Sequence, residues 1–166
     1  MKKYLILAAL GGFLICLDQI TKIYIHTHFQ VGESVSVIPN FFSISYVQNK
    51  AAAFGFLGQT PEAFRSFFFL SVPPIAALII VWMLRNTPDS DTISILSLSS
   101  IFGGAIGNYI DRLRYGFVVD FLDFHYYRDF EYPAFNVADM AIVIGIGVMI
   151  LLEFKNSKTA KKKAVA

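Results

Sequence analysis

Four apolar runs separated by polar stretches organise this 166-residue chain. They cover about residues 4–25, 64–84, 93–110 and 137–154. Each comes close to the ~20 residues a helix needs to cross a bilayer at about 1.5 Å per residue. The first follows Met1-Lys2-Lys3 as a signal peptide would, but no small-x-small site comes after it and the run continues past Asp18. Bulky Ile15 before Cys16 also makes a poor lipoprotein processing site, so a retained helix is expected. Pro73-Pro74 interrupts the second run and predicts a kink. Gly103, Gly104 and Gly107 in the third run, with Gly145 and Gly147 in the fourth, are small residues that permit close helix contact.

The connections differ in pattern. Residues 26–63 alternate polar with apolar in Glu33-Ser34-Val35-Ser36-Val37-Ile38 and Phe42-Ser43-Ile44-Ser45-Tyr46-Val47, with Pro39-Asn40 between. That predicts a small β element on the outer leaflet. Residues 112–133 are dense in aromatics (Phe121, Phe124, Tyr126, Tyr127, Phe130, Tyr132) and read as an outer loop in the headgroup zone. The short 86–92 stretch reads as a turn. The expected fold class is all-α membrane protein with a small β element, one domain over residues 1–166, without internal repeats.

Composition agrees with that reading. Hydrophobic residues make up 55% of the chain and charged residues 16%, against roughly 25% charged in soluble domains. Mean hydropathy is +0.57. The net charge of +2 is too small to argue for nucleic acid. Lys2, Lys3, Arg85, Lys155, Lys158, Lys161, Lys162 and Lys163 fall on one side of a four-span arrangement, which predicts that side, with both termini, to be cytoplasmic. Residues 156–166 read as a disordered basic tail, a topology signal more than a lipid-binding device. Cys16 is the single cysteine and forms no intrachain disulfide. With His26, His28 and His125 as the only histidines, no metal site or other cofactor is expected.

Polar residues inside or beside the runs need a reason. Asp18 and Lys22 lie four apart on one helix face. They either neutralise each other near the interface or help to hold a site. Asn49, followed by small residues in Lys50-Ala51-Ala52-Ala53, is a ligand strand or a turn. Asn108 and Asp111 share a face, and Arg112 either orients a carboxylate through its planar fork or ends the helix in a salt bridge.

Asp120 and Asp139 carry the most chemistry. A carboxylate at the membrane edge resists ionisation, and two brought together can share one proton, one then a base and the other an acid. The plain alternatives are an exposed loop acid for Asp120, like its neighbour Asp123, and a capping box with Asn136 for Asp139. The residues alone leave both pairs of readings open. An ion-coupled transporter also uses intramembrane carboxylates, though four spans without a repeat argue against it. A metal-dependent phosphotransferase would want a denser Asp cluster.

The motifs occur in an order that resembles one family over essentially the whole chain. They are Asp18-Gln19-x-Thr21-Lys22, Asn49-x-Ala51-Ala52-Ala53-Phe54, Gly104-Ala105-x-Gly107-Asn108-x-x-Asp111-Arg112, Val119-Asp120-Phe121 and Phe135-Asn136-x-Ala138-Asp139. The chain resembles signal peptidase II, the lipoprotein signal peptidase family. One small departure is Ala51, where the family usually has Gly. The resemblance implies four transmembrane helices, an outer-leaflet β-cradle and an aspartic endopeptidase with Asp120 and Asp139 as its dyad. It implies that Asn49, Asn108, Arg112 and Asn136 line the site, with Asp18, Lys22 and Asp111 in support. The implied partners are a diacylglyceryl-modified prolipoprotein and membrane lipid, not nucleic acid, and a monomer is expected. The implied location is the bacterial cytoplasmic (inner) membrane, with the site near the outer face.

Overall fold

The computed structural model describes residues 1–50, 61–126 and 130–165. The Ala51–Phe54 part of the Asn49 motif and Tyr127 lie outside the described residues. The first run folds as α1 (Lys2–Ile6), a π-helical turn (Leu7–Gly11) and α2 (Gly12–His28) in one continuous helix. Strands β1 (Ser34–Ile38) and β2 (Phe42–Asn49) follow. Next come α3 (Glu62–Asn86), α4 (Thr92–Tyr115), β3 (Val118–Tyr126), β4 (Phe130–Glu131) and α5 (Val137–Val165). Among the described residues, four helices are long and apolar enough to cross a membrane: Lys2–His28, Ala63–Asn86, Thr92–Tyr115 and Val137–Ser157. α3 stays helical through Pro73 and Pro74.

α4 is the hub, packed against the first helix, α3 and α5. Asp91 caps its start by accepting from the Ser94 amide at 3.1 Å. Gly116 ends it with φ +76°, a conformation that glycine adopts without strain. α4 therefore runs beyond the apolar stretch that ends near residue 110, because Arg112 and Arg114 are good helix formers and only Gly116 breaks the pattern. The small residues of α4 face its neighbours. A Cβ on Gly104 would run into the Ala138 carbonyl, and one on Gly107 would stand 2.6 Å from Asp18 Oδ2. Gly145 meets α4 in the same way, with the Ser97 carbonyl 2.8 Å from such a Cβ. Gly147, expected to serve similarly, has nothing within 4 Å among the described residues.

The sheet has the order β1-β2-β3-β4, with antiparallel neighbours. This corrects the reading of residues 112–133 as a loop, since they supply β3, which pairs along β2 with Val47 opposite Asp120 and Asn49 opposite Val118. Val118, Val119, Asp120 and Phe121 are all buried, so β3 lacks the polar–apolar alternation that marks a half-exposed strand. Its aromatics pack against protein: the Phe124 ring lies 4.6 Å from Phe42 and 5.7 Å from Phe135. A second correction concerns the basic end, where residues 156–165 continue α5 instead of forming a disordered tail. Lys and Ala are strong helix formers, so the helix has no local reason to stop.

Two apolar clusters bracket the bundle. Ile25, Tyr46, Val119 and Phe121 join the first helix to the sheet. Ile80, Leu84, Ile95 and Leu98 join α3 to α4 towards the other end. There Lys3 Nζ donates to the Arg85 carbonyl at 2.6 Å and the Thr87 carbonyl at 2.8 Å, so the chain start and the 86–92 turn share one end. Large apolar side chains such as Phe13, Phe67, Leu78, Trp82, Val143 and Leu151 stay exposed around the helices, as a lipid-facing surface requires.

Candidate active site

Asp120 comes from near the start of β3 and Asp139 from the first turn of α5, and one residue links them. Asn136 Nδ2 donates to Asp120 Oδ1 at 2.6 Å, while the Asn136 amide donates to Asp139 Oδ2 at 3.2 Å. The Asp139 amide returns a bond to Asn136 Oδ1 at 2.9 Å. Asn136 and Asp139 thus form a reciprocal capping box, and the same box brings Asp139 beside Asp120. The other oxygens are also held. Asn49 Nδ2 donates to Asp120 Oδ2 at 2.8 Å, and Asn108 Nδ2 donates to Asp139 Oδ1 at 2.8 Å. Three asparagines therefore fix two carboxylates.

Asp120 is only 1% exposed. Burial pushes its carboxyl up to about 7, and the neighbouring Asp139 charge adds to the rise. The bonds from Asn49 and Asn136, and the charge of Lys22, pull part of it back. A carboxyl so placed is close to half-protonated at neutral pH, the condition for one group of a pair to serve as acid while another serves as base.

Known proteins match this chain closely. The signal peptidase (SPase) II family model matches residues 10–155. A lipoprotein signal peptidase of Syntrophus aciditrophicus is 45% identical over 152 residues, which is 91% of this chain and 94% of that protein. One of Maridesulfovibrio salexigens is 44% identical over 156 residues, 94% of this chain and 99% of the other. The chain belongs to the signal peptidase II family. It is therefore a protease. Its fold is shared by a bacterial membrane enzyme solved by the in meso method at 2.3 Å, with a TM-score of 0.83 and 31% identity over 92% of this chain and 90% of that one. With these neighbours, the four apolar helices make it a multi-pass bacterial membrane protein.

The other residues singled out in the sequence all gather near the carboxylate pair. Lys22 Nζ lies 2.9 Å from Asp18 Oδ2 and 3.0 Å from Asp111 Oδ2, and donates to Asn108 Oδ1 at 2.8 Å. Asp18 and Lys22 do neutralise each other, but in the buried interior and together with Asp111. Arg112 Nη1 donates to the Asn108 carbonyl at 3.2 Å, and its guanidinium stands 4.6 Å from the Phe69 ring centroid. Arg112, Asn49, Gln48, Lys50, Arg65 and Phe69 are among the residues lining an open cavity of about 340 Å³. Two further residues belong here: Gln19 of the Asp18-Gln19-x-Thr21-Lys22 motif, to which the sequence assigned no separate role, and Phe69, which was not singled out. Gln19 Nε2 donates to Asp111 Oδ1 at 2.9 Å and to the Gly107 carbonyl at 3.1 Å; its signal is a polar side chain inside an apolar run. Phe69 sits in a Phe-rich stretch that gives no signal.

Proposed function

We propose that this protein removes the signal peptide from prolipoproteins whose lipobox Cys already carries diacylglycerol, cutting the peptide bond just before that Cys. The observation that carries the proposal is Asn136 bonded to both Asp120 and Asp139, with Asp120 buried and held near neutrality. Family membership and the printed names of the relatives support the substrate class.

The reaction follows from the pair. An ionised carboxylate takes a proton from a water held between the two groups, and the other carboxyl donates to the scissile carbonyl oxygen. The resulting gem-diol collapses as the leaving amine is protonated. The shared proton is assigned to the pair and not to either aspartate. Asn49, Asn108 and Asn136 keep the acceptor oxygens aimed, and Arg112 faces the adjoining cavity, where the peptide would lie. The diacylglyceryl chains stay in lipid and fix the depth of the scissile bond, an orientation effect that lowers the barrier. The proposed topology puts both termini in the cytoplasm and the site near the outer face, in keeping with the Lys/Arg asymmetry.

The test is cleavage of a lipidated prolipoprotein peptide by the purified protein, with and without chelator. Cleavage that survives the chelator is expected. Loss of activity with the metal removed would point to a metal enzyme, and absence of cleavage would overturn the proposal.

A further inference from the structure

A charged triad lies beneath the carboxylate pair: Lys22 is 1% exposed, and Asp18 and Asp111 are fully buried. Its three acceptors, Asp18, Asp111 and Asn108, use all the donors an ammonium has. Such a triad is a poor source of stability, because apolar side chains of similar volume often do as well or better. Its outward bonds suggest another use. Asp111 Oδ2 accepts from the Val119 amide at 3.0 Å, and Asp18 Oδ1 accepts from the Ala138 amide at 2.9 Å. Val119 immediately precedes Asp120, and Ala138 immediately precedes Asp139. The third acceptor, Asn108, reaches Asp139 directly through its Nδ2.

We propose that Lys22 is a positioning residue for the carboxylate pair: one buried ammonium, acting through Asp111 and Asp18, fixes the two peptide amides that immediately precede Asp120 and Asp139. This rests on the reading of Asp120 and Asp139 as the reacting pair. The two aspartates arrive on different elements, a strand and a helix start, which meet at one backbone bridge: the Phe121 and Leu122 amides donate to the Phe135 carbonyl at 3.0 and 2.8 Å, and the Phe135 amide donates to the Leu122 carbonyl at 3.1 Å. The Val119 and Ala138 amides lie outside that bridge and are held by Asp111 and Asp18. Asp18 and Asp111 lie on α2 and α4, two helices that pack against each other. Pairing both carboxylates with one ammonium makes the helix–helix contact the common reference for the strand and for α5. The Ala138 amide is also one of the donors that a helix start leaves without an intrahelical partner, so Asp18 satisfies it from another helix.

The charged groups acting on Asp120 are Asp139 from α5, Lys22 from α2 and Arg112 from α4. Lys22 holds the Asp120 carboxyl lower than burial alone would. Neutralising Lys22 should therefore loosen both amides and also move the titration of Asp120 upward, which lost packing would not do.

The experiment uses the full chain in detergent or nanodiscs and reads amide hydrogen exchange beside turnover of a lipidated prolipoprotein peptide. Lys22→Met is expected to speed exchange at Val119 and Ala138 about tenfold or more, the equivalent of about 1.4 kcal/mol of lost protection. Asp111→Asn should loosen Val119 alone and Asp18→Asn should loosen Ala138 alone, so these two carry the test if Lys22→Met does not fold. Lys22→Met should also lower kcat about 100-fold with KM little changed, the scale of a misplacement of about 1 Å. Its alkaline activity limit should move to higher pH. Protection of both amides as in the parent, or exchange that rises evenly along all helices, would overturn the proposal. Turnover by Asp120→Asn or Asp139→Asn would instead overturn the reading of the pair, and the exchange pattern does not depend on that outcome.

Discussion

At the scale of residues, the site depends on three short amides as much as on its acids. Asn49, Asn108 and Asn136 donate to four carboxylate oxygens, and each comes from a different element. Asp120→Asn and Asp139→Asn keep shape and remove the proton cycle. Each should abolish cleavage while leaving helical content near the parent's. Turnover in either variant, measured on the lipidated peptide, is the deciding observation. The pH dependence has a definite sign. A carboxyl raised from 3.8 to about 7 keeps its proton on the acid side and loses it above neutrality, so activity should fall as pH rises through about 7. The same shift opposes stability. Between about 4 and 7 the unfolded chain releases a proton that the folded one keeps, so stability declines with pH across that window and levels off above it. In Asp120→Asn this part of the decline in thermal midpoint should vanish. Arg112 invites a finer substitution. Arg112→Lys keeps the charge but loses the planar fork that reaches the Asn108 carbonyl and stacks near Phe69. Turnover should drop about tenfold or more, as for a lost charged hydrogen bond of about 1.5 kcal/mol, at an unchanged thermal midpoint in the same detergent. Full turnover by Arg112→Lys would make Arg112 an interfacial anchor.

At the scale of elements, what the chain discloses in advance depends on whether a pattern has one face or two. The spanning helices are legible because long apolar runs have few other uses in a chain of this size. β1 and β2 are legible because they alternate. β3 is hidden because Val118 to Phe121 are buried on both sides, which erases the period of two and leaves an aromatic-rich stretch that imitates an interfacial loop. The helical extension past residue 155 is hidden because a lysine run reads as a tail, although its residues favour helix. Within the site, every residue singled out beforehand lies in the network: Asp18, Lys22, Asp111 and Arg112 stand out because charge beside an apolar run is a signal in itself, whereas Asn49, Asn108 and Asn136 were expected there from the family resemblance. The Lys22 link to the Val119 and Ala138 amides was not legible, because it requires knowing which strand and which helix start meet. The glycines supply a prediction at this scale. Gly104→Ala forces a Cβ against the Ala138 carbonyl, the residue before Asp139, so α4 and α5 must separate there. Overpacking of this kind costs about 1–3 kcal/mol and should lower both thermal midpoint and turnover. Gly147→Ala, which meets open space, should leave both unchanged or raise stability through better helix propensity. Equal midpoints for the two variants would show that the α4–α5 contact is looser than this geometry implies.

At the scale of the whole molecule, the polar network and the Lys3–Arg85 contact stand at opposite ends of α4, whose 24 residues span about 36 Å at 1.5 Å each. That is close to the thickness of a hydrocarbon core with part of its interface. Under the proposed function, a site at one end of such a bundle would meet a substrate anchored in the same leaflet and held at one depth. Two measurements follow from the proposed orientation. With Cys16 replaced by Ser, a cysteine at Glu33 beside β1 should label in intact cells, and one at Asp89 only after the membrane is opened. The reverse pattern would invert the topology. The second measurement compares a diacylglyceryl peptide with the same peptide bare. If lipid sets the depth of the scissile bond, the bare peptide should lose about 100-fold or more in kcat/KM, because its encounter with the buried pair is no longer pre-oriented. The loss should persist in lipid nanodiscs and shrink in detergent micelles that let a bare peptide reach the sheet. Equal rates for the two peptides in nanodiscs would mean that peptide contacts within the cavity beside Arg112 place the bond, and that the membrane only houses the enzyme.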